Sequence, residues 1–170
     1  MGAEWPLRLE SALDLSLTKR ADYVMRAAIS LARHSQDGGY RKIREVSQEM
    51  GLPLRYTPQI LNLLLKANLA EARAGQRGGY RLLRKPEDVS LLEVVEAAEG
   101  PLKSDHCTLS GGPCHWEGMC PLHPVWQGAQ DALRNSLASK TLDSVLDIDR
   151  RLESGEYPVP PDSHRRQQDA

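Results

Sequence analysis

Residues 43–83 read IREVSQEMGLPLRYTPQILNLLLKANLAEARAGQRGGYRLL. Val46 and Met50 stand four apart and turn one apolar face inward, so Arg44–Met50 reads as a short helix. Gly51 follows at the position favoured just past a helix end. Ile60, Leu61, Leu64 and Leu65 repeat the three- and four-residue spacing, which predicts a second helix with its apolar side on the core. Pro53 can open that helix at its first turn. Pro58 cannot donate to residue 54, so a kink or a start nearer Thr57 is the alternative. Leu69–Ala74 and Tyr80–Leu83 then read as two short strands around the turn Gly75–Gly79. Helix, turn, helix and hairpin is the order of a winged helix-turn-helix.

Working outward, Thr18 is a side-chain cap for a helix over Lys19–Arg33, with Tyr23, Ala27, Ile29 and Leu31 on its apolar face and Gly38-Gly39 as its stop. Ser90 caps a helix over Leu91–Ala98 that ends at Gly100-Pro101. Pro124 opens a longer helix whose apolar stripe is Val125, Trp126, Ala129, Ala132, Leu133 and Leu137. Thr141–Leu152 reads as one more helix. Little of the chain remains to cover the long helix, so packing against a second copy is its simplest partner. The expected architecture is mainly α with a small β-hairpin wing: a winged helix-turn-helix plus a long C-terminal dimerisation helix. The expected regions are an N-terminal extension (Met1–Leu15), a DNA-binding region (Ser16–Pro86), a cysteine loop with dimerisation helices (Glu87–Glu153) and a disordered tail (Ser154–Ala170).

The 170 residues carry a formal charge of only -1, but the charge is divided. Ser16–Pro86 holds 14 Lys and Arg against 5 Asp and Glu, a net +9, while Glu87–Ala170 holds 7 against 15, a net -8. A basic region can take phosphates while an acidic one keeps the molecule soluble. The hairpin turn brings Arg73 and Arg77 among glycines that would let backbone approach a groove. No run approaches the roughly 20 apolar residues of a membrane span, and charges among the first leucines break any signal peptide. No paired carboxylates, nucleophile–base pair or Walker loop stands out, so no enzyme is expected.

All three cysteines fall in one glycine- and proline-rich stretch: Cys107, Cys114 and Cys120, followed by His123, in the pattern C-x6-C-x5-C-x2-H. Thiolates are the soft donors that iron–sulfur clusters and zinc require. A reducing compartment disfavours a disulfide, and a polar loop disfavours buried thiols. The spacing lies one residue from a Cys-Cys-Cys-His finger that binds single-stranded RNA. Only Trp116 is aromatic between these cysteines, however, and no Lys or Arg accompanies it.

The ordered set resembles the Rrf2 family of winged-helix bacterial regulators, of the IscR and NsrR type. It is carried by LTKRADYVMRAAISLA (17–32), the wing RGGYRL (77–82), SLLEVVEAAEGP (90–101), the cysteine loop and TLDSVL (141–146). The resemblance implies a cytoplasmic homodimer that binds double-stranded DNA. It also implies an iron–sulfur cluster that senses iron–sulfur status, redox state or nitric oxide. Carried over residue by residue, Cys107, Cys114 and Cys120 match the cluster thiolates. His123 matches the fourth ligand of the [2Fe-2S] type and Asp22 that of the [4Fe-4S] type; the local His123 is preferred. Arg55, Tyr56 and Gln59 match groove-facing positions, and Arg73 and Arg77 the wing. Pro58 departs from the polar residue usual there, and the first cysteine gap is one residue longer than in familiar members. Two rival readings remain: a zinc-structured DNA-binding protein without a sensing role, and a small iron–sulfur electron-transfer protein.

Overall fold

The computed structural model of the chain describes residues 17–36, 38–102 and 120–157. The expected extension Met1–Leu15, Cys107, Cys114 and the tail beyond residue 157 lie outside the described residues.

Helix α1 spans Lys19–Arg33, and the Thr18 side chain accepts from Ala21 N at 3.2 Å, as its cap role requires. It ends at Arg33, before the glycines expected to stop it: the His34 N–H closes the last turn on the Ala32 carbonyl. Helix α2 (Ile43–Met50) is stopped by Gly51 in the left-handed region, φ 62°. Helix α3 (Thr57–Lys66) begins at Thr57 and not at Pro53. The Pro53 carbonyl accepts from Tyr56 N (2.9 Å), Thr57 N (3.0 Å) and the Thr57 hydroxyl (3.0 Å). That carbonyl therefore anchors the turn before α3. Pro58 falls in the first helical turn, where its missing N–H removes no bond.

Strands β1 (Ala70–Arg73) and β2 (Gly79–Leu82) pair antiparallel, Ala70 opposite Leu82 and Arg73 opposite Gly79. Arg41 adds a strand-like bridge: its N–H donates to the Tyr80 carbonyl (2.8 Å) and its carbonyl accepts from Tyr80 N (2.9 Å). This explains the two glycines differently from the sequence reading. A Cβ on Gly78 would lie 2.0 Å from the Arg73 carbonyl oxygen, and one on Gly79 2.4 Å from that of Arg41. Both positions close the wing on its own backbone. The Lys42 ammonium pins the wing from outside, donating to the carbonyls of Gly75 (3.1 Å) and Gln76 (2.7 Å).

A 3-10 turn at Pro86–Asp88, not foreseen in the sequence, leads into α4 (Leu91–Glu99), capped by Ser90 with Glu93 reaching back. Helices α5 (His123–Ala138) and α6 (Leu142–Glu153) follow, and Thr141 caps the second. Leu91 N donates to the Lys140 carbonyl (2.8 Å) and Leu142 N to the Val89 carbonyl (2.9 Å), so the starts of α4 and α6 are stitched together. One core gathers Val24, Leu31, Val46, Ile60, Leu61, Leu64, Leu69, Val89, Val94 and Leu142 around α1. It draws on both sides of Pro86. Each such side chain contributes about 1.5–3 kcal/mol on burial, which lets a chain without phenylalanine fold on Leu, Val and Ala.

A polar network ties the outer helices to this core. Glu49 of α2 accepts from Ser30 (2.6 Å), Arg33 (3.2 Å) and Arg41 (3.3 Å), and His34 lies 3.6 Å away. Arg33 also pairs with Asp149 of α6. Burial pushes the Glu49 carboxyl up, but the bonds from Ser30 and Arg33 and the charges of His34 and Arg33 outweigh it, holding the carboxyl below its ordinary range. Among the described residues no helix is long and apolar enough to cross a membrane.

Candidate nucleic-acid interface

The second helix of the motif, α3, divides its residues cleanly. Thr57, Ile60, Leu61 and Leu64 are buried, while Pro58, Gln59, Asn62 and Lys66 are exposed along one stripe. Arg55 is exposed in the turn before it, and Tyr56 is half-buried, its ring edge-on to Tyr23 of α1 with centroids 6.1 Å apart. That contact fixes the entry of α3 against α1. Arg55 and Gln59 thus stand at the open end of the helix, and Tyr56 is partly spent on packing. Asn62 and Lys66 escaped the sequence reading, although their spacing from Gln59 and from each other was the signal that could have placed them.

The cations sort into two groups. Arg20, Arg26, Arg33, Arg41, Arg81, Arg84, Lys85, Arg134, Arg150 and Arg151 each pair with a carboxylate. Among the described residues Arg44, Arg55, Lys66, Arg73 and Arg77 pair with none, and all five are exposed. Three of them lie on α2, α3 or the turn between, and two on the wing. Lys19, Lys140 and Lys42, whose ammonium is spent on the wing carbonyls, are the other described cations without a carboxylate. The wing base is neutralised separately: Arg81 binds Glu71 and stacks over Tyr40 with its guanidinium carbon 4.9 Å from the ring centroid, and the Tyr40 hydroxyl donates to Glu71 (2.9 Å). The bonds from Arg81 and Tyr40 hold the Glu71 carboxyl below its ordinary range. The hairpin's strand face is therefore closed, and its tip is open and positive.

The metal candidates are less complete. Cys107 and Cys114 lie outside the described residues. Cys120 is a free, half-buried thiol, and His123 N donates to the Cys120 carbonyl at 3.0 Å, so one turn brings these two residues together at the start of α5. Among the described residues no three His, Cys, Asp or Glu side chains converge on a metal position. Asp22 is engaged on its own helix, accepting from Arg26 Nε at 2.8 Å.

Helix α5 packs along α4, with Arg134 on Glu96 at 2.9 Å, yet none of its 16 residues is buried. Val125 is 69% and Leu133 54% exposed.

Residues 17–148 match the model of the Rrf2 family, described as an iron-dependent transcriptional regulator. The helix-turn-helix-type transcriptional regulator IscR of Photorhabdus laumondii is 26% identical over 152 residues, which cover 86% of this chain and 92% of that one. The structure of T. potens IscR superposes with a TM-score of 0.66 at 25% identity, covering 88% of this chain and 97% of that one. CymR, the global cysteine regulator of B. subtilis, shares the fold with a TM-score of 0.67 at 23% identity, covering 79% and 98%. With a family match over most of its length and its unpaired cations gathered on a winged helix-turn-helix, the chain belongs to the Rrf2 family of DNA-binding transcriptional regulators, which are not enzymes.

Proposed function

We propose that the chain is a cytoplasmic, homodimeric regulator that reads double-stranded DNA with α3 and the wing, and that an iron–sulfur cluster governs this binding. One observation carries the DNA reading: of the cations left without a carboxylate, five lie on α2, α3, their connecting turn and the wing. Arg55 and Gln59 reach base edges, Arg44 and Lys66 take phosphates, and Arg73 and Arg77 flank the wing tip beside the minor groove. The bare apolar face of α5 supports a second copy as its cover. Two winged modules held on one side then reach half-sites about one helical turn apart.

The donor chemistry fits a cluster. Cys120 and His123 share one turn, and Cys107 and Cys114 complete a set of three thiolates and one imidazole. His123 is favoured over Asp22 as the fourth ligand because Asp22 would first have to give up Arg26. This favours the [2Fe-2S] form over [4Fe-4S]. A bound cluster supplies a centre that oxidants, nitric oxide or iron shortage can alter. The chain's part is mechanical: Cys120 and His123 open α5, and α5 lies on α4, which shares its core with α1 and α3. A change at the loop therefore has a packed route to the recognition helix, worth about 1–3 kcal/mol of coupling.

Binding of anaerobically purified protein to a duplex, measured against salt, tests the DNA reading. The logarithm of affinity is expected to fall linearly with log salt, by about 0.9 per phosphate neutralised. Binding indifferent to salt overturns it. Iron and acid-labile sulfide in the same material support the cluster; zinc in a colourless protein removes it.

A further inference from the structure

The reading surface carries two groups that bind no phosphate. Leu54 is 47% exposed in the turn before α3, and Pro58 is exposed in its first turn. The Pro53 carbonyl accepts from both Tyr56 and Thr57, so residues 54–56 wind one turn that runs into α3. A spacing of four then sets Leu54 beside Pro58 and Arg55 beside Gln59. Two parallel strips result, one apolar and one of donors. Asn62 extends the donor strip by a turn.

Each strip has a counterpart in the major groove. Arg matches guanine O6 and N7, and Gln and Asn match adenine N6 and N7. Leu and Pro side chains offer no donor, and the one apolar group on a base edge there is the thymine 5-methyl. An A·T pair presents both kinds of group together, adenine's polar edge beside the methyl of its partner.

We infer that Leu54 and Pro58 are specificity-determining residues that read thymine 5-methyl groups, beside A·T pairs contacted through Gln59 and Asn62. The inference rests on the DNA-binding reading given above. It turns Pro58, where a polar residue is usual in the resemblance, into a positive element of recognition. A methyl contact of this kind is worth about 0.8 kcal/mol, about a fourfold change in affinity.

The test selects a tight duplex from a random pool with the full-length chain, purified without oxygen and also after metal removal, using whichever form binds. Each thymine is then replaced by deoxyuridine, which keeps every hydrogen-bonding edge and loses only the methyl. At fixed salt, affinity is expected to fall about fourfold at each contacted thymine, with the salt slope unchanged. The double variant Leu54→Ser, Pro58→Ser, shown folded by its melting curve, is expected to bind thymine and uracil duplexes alike. Equal affinity of the wild-type chain for both duplexes overturns the inference and leaves DNA binding standing. A full uracil penalty retained by the double variant, or at every thymine by both Leu54→Ser and Pro58→Ser tested singly if the double variant does not fold, assigns the methyl to other residues and overturns it too. Failure to select any duplex overturns the DNA reading and this inference with it.

Discussion

Helices α3 and α5 both carry an apolar stripe at helical spacing, and they meet opposite fates. On α3, Ile60, Leu61 and Leu64 have no exposed surface, because α1, α4 and the wing close over them. On α5, Val125, Leu133 and their neighbours stay open: among the described elements the helix packs chiefly on α4, and none of its residues is buried. Periodicity announces that a face is to be covered. It does not say whether the cover comes from the same chain.

The largest effect that sharpens this contrast is expected from Leu61→Ala. Removing a fully enclosed side chain at the centre of the core costs about 2–5 kcal/mol, read as a lower denaturation midpoint with an unchanged slope. A loss below 1 kcal/mol would mean that α3 is not packed as described. Next comes Leu133→Glu on the open stripe. It is expected to weaken self-association by about 2–4 kcal/mol while leaving the far-ultraviolet spectrum intact. Sedimentation of the wild-type chain as a monomer at micromolar concentration breaks the comparison outright, since α5 would then need no cover.

Arg77→Ala touches neither stripe. It is expected to weaken DNA binding by about 1–3 kcal/mol with no change in melting temperature. Unchanged affinity at fixed salt takes Arg77 out of the interface. The smallest effect is expected from Glu49→Gln, which removes the charge and one of the two oxygens that accept from Ser30, Arg33 and Arg41, at about 1–2 kcal/mol. The Glu49 carboxyl is held below its ordinary range in the folded chain, so its stabilising contribution is full above the ordinary glutamate range. It is lost as pH falls through the lower, folded value. The wild type is therefore expected to lose stability more steeply on acidification than Glu49→Gln, and parallel pH profiles would contradict the network.

Much of this was legible because its causes are local. Thr18, Ser90 and Thr141 act as caps within three residues of what they bind. Gly51 stops α2 by its own backbone freedom. The sequence offers two prolines for the start of α3, and the choice falls to the Pro53 carbonyl, whose three bonds exist only in the folded turn. At the candidate interface Arg55, Tyr56 and Gln59 follow from the resemblance, whereas Arg73 and Arg77 are also legible in the glycine-rich hairpin turn. Asn62, Lys66 and the wing clamp by Lys42 needed the folded stripe and hairpin to be seen.

What the amino-acid order determined alone was the succession of helices and hairpin, because hydrophobic spacing, caps and glycines act over a few residues. What only the tertiary structure decided was which charges remain to meet a partner. Arg33 and Asp149 stand 116 positions apart in the chain, and Lys42 reaches carbonyls 33 and 34 positions away. Pairing depends on distance in space, so a count of basic residues could give the sign of this surface and not the side chains that bear it.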